Sequence, residues 1–112
     1  MTIVALVAMG RGSPEATAFP LVVTGARSGA GDVTTSSTTV TVTGGTVPYT
    51  ILWSRTGGDS GPAATAGTAF TTAFSATLDI GESLTSEFTG LVTDANGATD
   101  TVVVTSALYE IS

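Results

Sequence analysis

Thr39-Val40-Thr41-Val42-Thr43-Gly44-Gly45-Thr46-Val47-Pro48-Tyr49-Thr50-Ile51-Leu52-Trp53 decides how this chain folds. Its first five residues alternate strictly, which puts Val40 and Val42 on one face and Thr on the other, the period of a half-buried β-strand. Gly44-Gly45 ends that strand, and Pro48 pushes Val47 towards extended backbone ahead of the next one. Tyr49, Ile51 and Trp53 then share a face and are the heaviest core candidates in the chain. Thr and Val suit these positions because β-branched side chains pack well on a pleated surface.

The same texture continues towards the C-terminus. Gly57 to Gly67 has no strong period, contains Pro62, and reads as a loop or a short irregular edge strand. Phe70, Phe74, Ala76 and Leu78 share parity and predict one long bent strand or two short ones, after which Gly81 to Thr85 crosses over. From Ser86 to Thr93, Phe88, Gly90 and Val92 fall on one face and Thr89, Leu91 and Thr93 on the other. Asp94-Ala95-Asn96-Gly97 follows, and Asn96-Gly97 can supply the positive φ angles of a tight hairpin. Thr99 to Thr105 closes that hairpin through Val102-Val103-Val104, apolar on both faces, which predicts cover on both sides of at least part of the strand. Helical periodicity is missing after residue 20. About seven short strands, with turns every ~8 to 12 residues, predict an all-β, two-sheet sandwich.

The chain has 112 residues, enough for one core. It has no Cys and no His, which removes disulfides and the usual ligands of structural zinc. Three Arg, no Lys and nine acidic residues give a net charge of -6, unsuited to nucleic acid or to an anionic lipid surface. Only 11% of residues are charged and mean hydropathy is +0.43. A surface so poor in charge suits a protein packed against copies of itself or a larger assembly.

Enzyme constellations are scarce. Ser-His-Asp and Cys-His arrangements need His, and Schiff bases and Ser-Lys dyads need Lys. A carboxylate pair drawn from Asp79, Glu82, Glu87, Asp94 and Asp100 remains, but these residues sit at turns and strand ends, where solvated carboxylates are ordinary. Asp94 to Asp100 also fails the spacing of a calcium loop, and neither Gly44-Gly45 nor Gly57-Gly58 precedes a helix that would cradle phosphate. Tyr49 and Trp53 would make a sugar platform only if exposed, and the face they share with Ile51 favours core packing. The expectation is a non-enzymatic protein without cofactor or metal.

The start of the chain differs. Met1-Thr-Ile-Val-Ala-Leu-Val-Ala-Met9 lacks a basic flank, and Gly10-Arg-Gly-Ser-Pro14 breaks it short of the ~20 residues of a membrane span, so neither a span nor a conventional signal peptide is expected. Residues 1-30 read as an N-terminal arm or an added strand, and 31-112 as the sandwich. Ile3, Val4, Leu6 and Val7, with Phe19 and Leu21, are the candidate partner-docking residues. They would add a strand to a sheet edge or reach onto a neighbour.

Val42 to Trp53, followed by Phe88-Thr-Gly-Leu-Val-Thr-Asp-Ala-Asn-Gly97 and a Val-rich last strand, resembles an immunoglobulin-like module of the polycystic-kidney-disease (PKD) type over about residues 38 to 105. The resemblance implies an immunoglobulin-like sandwich in which the first segment supplies strands B and C and the second the F-G hairpin. It implies that Gly90 stands where an antibody-type domain has its second Cys and Phe88 where it has its corner tyrosine. Trp53 would then pack on Val40, Val42, Phe88 and Val92, beside Tyr49 and Ile51, with no disulfide. Free-standing modules with Lys-free, Ala/Gly/Thr/Val-rich compositions resemble phage decoration proteins, and a chain that begins at Met without a signal fits that setting. The expected function is thus a virion structural protein of a tailed bacteriophage, a capsid decoration or tail accessory subunit binding other virion proteins and copies of itself. The alternative is an adhesion or carbohydrate-binding module of a bacterial cell surface. With no ligand set in the sequence, added calcium or zinc should leave the melting temperature unchanged in thermal denaturation, and a rise of several degrees would overturn the no-metal expectation.

Overall fold

The computed structural model describes residues 12-111. They form an all-β, sandwich-like fold with 64% of residues in strands and no helix. The strands are β1 (Pro14-Phe19), β2 (Val22-Arg27), β3 (Gly31-Thr34), β4 (Thr38-Gly44), β5 (Thr50-Gly58), β6 (Ala63-Ala64), β7 (Thr71-Thr72), β8 (Phe74-Leu78), β9 (Ser83-Thr93) and β10 (Thr99-Glu110).

One sheet runs β2-β10-β9-β5. β9 pairs antiparallel with β10 and β5, and β2 joins the far side of β10 in parallel. Opposite it lie β1-β4-β7 and β3-β8-β6. Only residues 35-37 separate β3 from β4, and only Ala73 separates β7 from β8, so these two small sheets are consecutive halves of one layer. Thr35 stitches the break: its N-H donates to Phe74 O at 2.9 Å, and its Oγ1 accepts from Phe74 N at 3.1 Å.

Residues 14-27 therefore belong to both layers. β1 pairs with β4 and β2 with β10, and Pro20, joined to Phe19 by a cis peptide bond, lies where the chain passes from one layer to the other. The Gly57 to Gly67 stretch begins as the end of β5 and includes β6. The parity-sharing run from Phe70 resolves into the two short strands β7 and β8.

The core is set by register. Phe88 faces Val104, Gly90 faces both Val102 and Trp53, and Val92 faces Ile51, so these residues point into the same layer. Val40, Ile51, Trp53, Phe88 and Val92 are buried, while Val42 and Tyr49 are partly buried against them. Phe74, from the opposite layer, stacks on Phe88 at 4.2 Å and meets Trp53 edge-on at 5.7 Å. A smaller cluster of Val33, Leu78 and Leu108 fills the other end. Between the two lies a rung of fully buried serines, Ser86 opposite Ser106.

Gly90 is the narrowest point. A Cβ there would stand 3.1 Å from Trp53 Cη2 and Cζ3 and 3.1 Å from Ile51 Cδ1. The indole is held from its far side as well, since Trp53 Nε1 donates to Ala69 O at 3.0 Å. Gly90→Ala should lower stability by about 1 to 3 kcal/mol through overpacking, and Trp53→Ala by about 3 to 5 kcal/mol through cavity formation, both read from denaturant melts. A neutral Gly90→Ala would mean that the indole is not confined.

Candidate interaction surface

The sequence predicts cover on both faces of at least part of β10, and Ser106, Ala107 and Leu108 are buried in succession. In the Val-rich run itself Val102 and Val104 are buried, but Val103, on the outer face of the four-stranded sheet, is 50% exposed. Register places its neighbours. Leu52 is directly opposite Leu91, Val103 is opposite Thr89, and Val22 is opposite Thr105. Each of the four strands thus carries one large exposed aliphatic side chain on this face, and together they step diagonally from Leu52 at one edge to Val22 at the other. Thr and Ser fill the spaces between: Thr56 and Thr89 join hydroxyls at 2.8 Å, with Ser54, Thr93, Thr101 and Thr105 around them. Glu87 is the single charged residue among these rungs.

A second apolar exposure sits at the crossover. Phe19 is 82% and Leu21 57% exposed, on either side of Pro20. Phe19 pairs with Thr39 and so belongs to the opposite layer, whereas Leu21 O accepts from Thr105 N at 2.9 Å and lies along the edge of the four-stranded sheet. Of the six sequence-derived docking residues, these two are in the described part and both are open; Ile3, Val4, Leu6 and Val7 lie outside the described residues.

The carboxylates are used differently. Asp94 closes the β9-β10 turn: its Oδ1 accepts from Asn96 N and Ala98 N, each at 2.9 Å, and its Oδ2 accepts from Thr46 N at 3.0 Å, which ties the β4-β5 connection to the hairpin. Gly97 supplies a φ of 87°, which glycine adopts freely in such a turn. Asp100 accepts from Ala16 N at 2.8 Å, satisfying a donor of β1 that β4 does not reach. Glu110 accepts from Gly29 N at 2.6 Å and Gly81 N at 2.7 Å, holding two turns against the last strand. Glu82 bonds Asp79 N within its own turn, and Glu87 stands on the open face, so the carboxylates considered for acid-base chemistry do not converge. No group of three or more acidic residues within reach of one metal ion occurs among the described residues.

An open cleft of about 530 Å³ lies beside this end, lined by Ser13, Pro14, Glu15, Thr43, Gly44, Thr99 and Asp100. It lacks the apolar enclosure of a small-molecule site. Trp53 is 6% exposed, and the Tyr49 hydroxyl donates to Gly44 O, so the two aromatics form no sugar platform. No family model matches this chain, and no curated protein matches it.

Main-chain donors, Thr46 foremost, hold the Asp94 carboxyl below its ordinary value, against the opposing effect of burial. Ala16 does the same for Asp100. A carboxyl with a lower pKa in the folded state stabilises fully above its unfolded value, near pH 4, and loses that contribution as pH falls through the folded value. Melting temperature should therefore hold through neutral pH and drop below about pH 4. Asp94→Asn should melt earlier than the wild type at neutral pH and lose less on acidification; equal acid limbs would remove Asp94 from this role.

Proposed function

We propose that this chain is a non-enzymatic structural subunit of a tailed-bacteriophage virion, a capsid decoration or tail accessory protein built on an immunoglobulin-like sandwich of the PKD type. The observation that carries the reading is the pair of apolar exposures on an otherwise acidic protein: the Phe19-Leu21 crossover and the outer face of the four-stranded sheet, whose one charged residue is Glu87. Exposed aliphatic and aromatic side chains grouped in this way mark surfaces made for protein partners. The strand arrangement supports this reading, since β4 lies in one layer while β5, β9 and β10 are neighbours in the other, as strands B, C, F and G would require. The docking residues on this reading are Phe19 and Leu21, together with the run Ile3, Val4, Leu6 and Val7.

Particles purified from cultures producing the protein should carry it in tens to hundreds of copies, counted by quantitative mass spectrometry. Its absence from particles would overturn the reading, and retention on a glycan array instead would move it to a cell surface. The double variant Phe19→Asp with Leu21→Asp should keep the wild-type melting temperature within a few degrees, since neither side chain is in the core, yet lose particle association. Truncation should stop at residue 11, because Pro14 already pairs with Gly44. Removal of residues 1-11 should leave the fold intact and weaken incorporation; unchanged incorporation would confine docking to the crossover.

A further inference from the structure

We infer that the outer face of the four-stranded sheet is where a second copy of this chain binds, face to face about a twofold axis. This deepens the assembly reading by naming the surface used between copies, and it is tested on the isolated protein, without particles. Three observations select a second copy as the occupant.

The first is charge. The chain carries -6, so two copies repel wherever their acidic residues meet. Eight of the nine acidic residues lie off this face, in turns, in the opposite layer, or directed inward as Asp100 is beside Val92. The face that carries Leu52, Leu91, Val103 and Val22 holds one acidic residue, Glu87, so two copies can meet on it with little like-charge contact.

The second is symmetry. An isologous interface must complement itself. The aliphatic side chains form a diagonal ridge, Leu52-Leu91-Val103-Val22, one per strand. A twofold axis lying in the interface plane, perpendicular to the ridge and midway between Leu91 and Val103, lays this ridge on its own reverse, so that Leu91 meets the other copy's Val103 and Leu52 its Val22. Thr hydroxyls flank the ridge on both sides and can bond across it.

The third is area. The strands are staggered, β5 beside the Ser86-Thr93 part of β9 and β2 beside the Thr105-Glu110 part of β10; at about 4.8 Å between strands and about 3.4 Å per residue, the paired residues give a face on the order of 600 Å² before corrugation. That is the lower end of specific interfaces, and it fits a reversible dimer reinforced when many copies are held on one scaffold.

Sedimentation velocity on the full chain, from micromolar to near-millimolar concentration, should show a monomer passing to a dimer. Added salt should strengthen the dimer by screening repulsion between acidic surfaces, whereas a charge-paired interface would weaken. Leu91→Glu should remain monomeric throughout, with wild-type circular dichroism and melting temperature. Leu91→Thr, which retains β propensity and serves if the glutamate variant fails to fold, should weaken dimerisation at least several-fold. A wild type that stays monomeric at the highest concentration overturns the inference. So does a dimer that survives both Leu91 substitutions, or one lost on deletion of residues 1-11 alone. The Phe19→Asp, Leu21→Asp variant should dimerise normally, so loss of particle binding and loss of dimerisation report on different surfaces.

Discussion

The fit of Trp53 over Gly90 is the contact on which the rest of the sandwich depends. β5 and β9 are neighbours in one sheet, and the missing Cβ at Gly90 lets the indole lie against the strand beside it. In that position its edge meets Phe74 from the opposite layer, and Phe74 in turn stacks on Phe88. Three aromatic rings therefore lock two layers in place of a disulfide. The main-chain bond from Trp53 N to Gly67 O, with the indole N-H on Ala69 O, also draws the 59-69 segment over the edge of β5. A strand edge left open there would invite unwanted pairing.

The acidic residues carry the second constraint. With three Arg and no Lys, few can pair with a cation, and several bond main-chain N-H groups instead. Asp94 holds Thr46, Asn96 and Ala98, Asp100 holds Ala16, Asp59 holds Thr85, and Glu110 holds Gly29 and Gly81. A charged acceptor strengthens such a bond, and each one satisfies a donor at a turn or edge that a strand partner cannot reach. Charge is thereby drawn to the ends and seams of the molecule. The same placement leaves the four-stranded sheet with a wide face of Thr, Ser, Leu and Val on which Glu87 is the one charged residue.

Parity along the chain was enough to place most of the core. Val40, Ile51, Trp53, Phe88 and Val92 sit where a period of two puts them, because successive side chains in a strand must point to opposite faces whatever the strand pairs with. The Asp94 to Gly97 turn was legible for a similar reason: its chemistry is local. The roles of the acids were not legible, since Asp94 with Thr46 and Asp100 with Ala16 are contacts between residues distant in sequence. The signal for the open face was present in Leu52, Leu91 and Val103, apolar residues on the side away from the core. At Val103 it read as a strand covered on both sides over part of its length, because a sequence records that a side chain is apolar and not what covers it.

By itself, then, the sequence determined the main strands from Thr38 onward, their inward faces, the absence of His, Cys and Lys chemistry, and the net acidity. Those properties follow from residue type and from a two-residue period. Only the tertiary structure decided which strands become neighbours, that β2 joins β10 in parallel, and that Leu52, Leu91, Val103 and Val22 line up across four strands. Register between strands is set by packing of the whole core, and a slip of one residue would send each of these side chains to the other face.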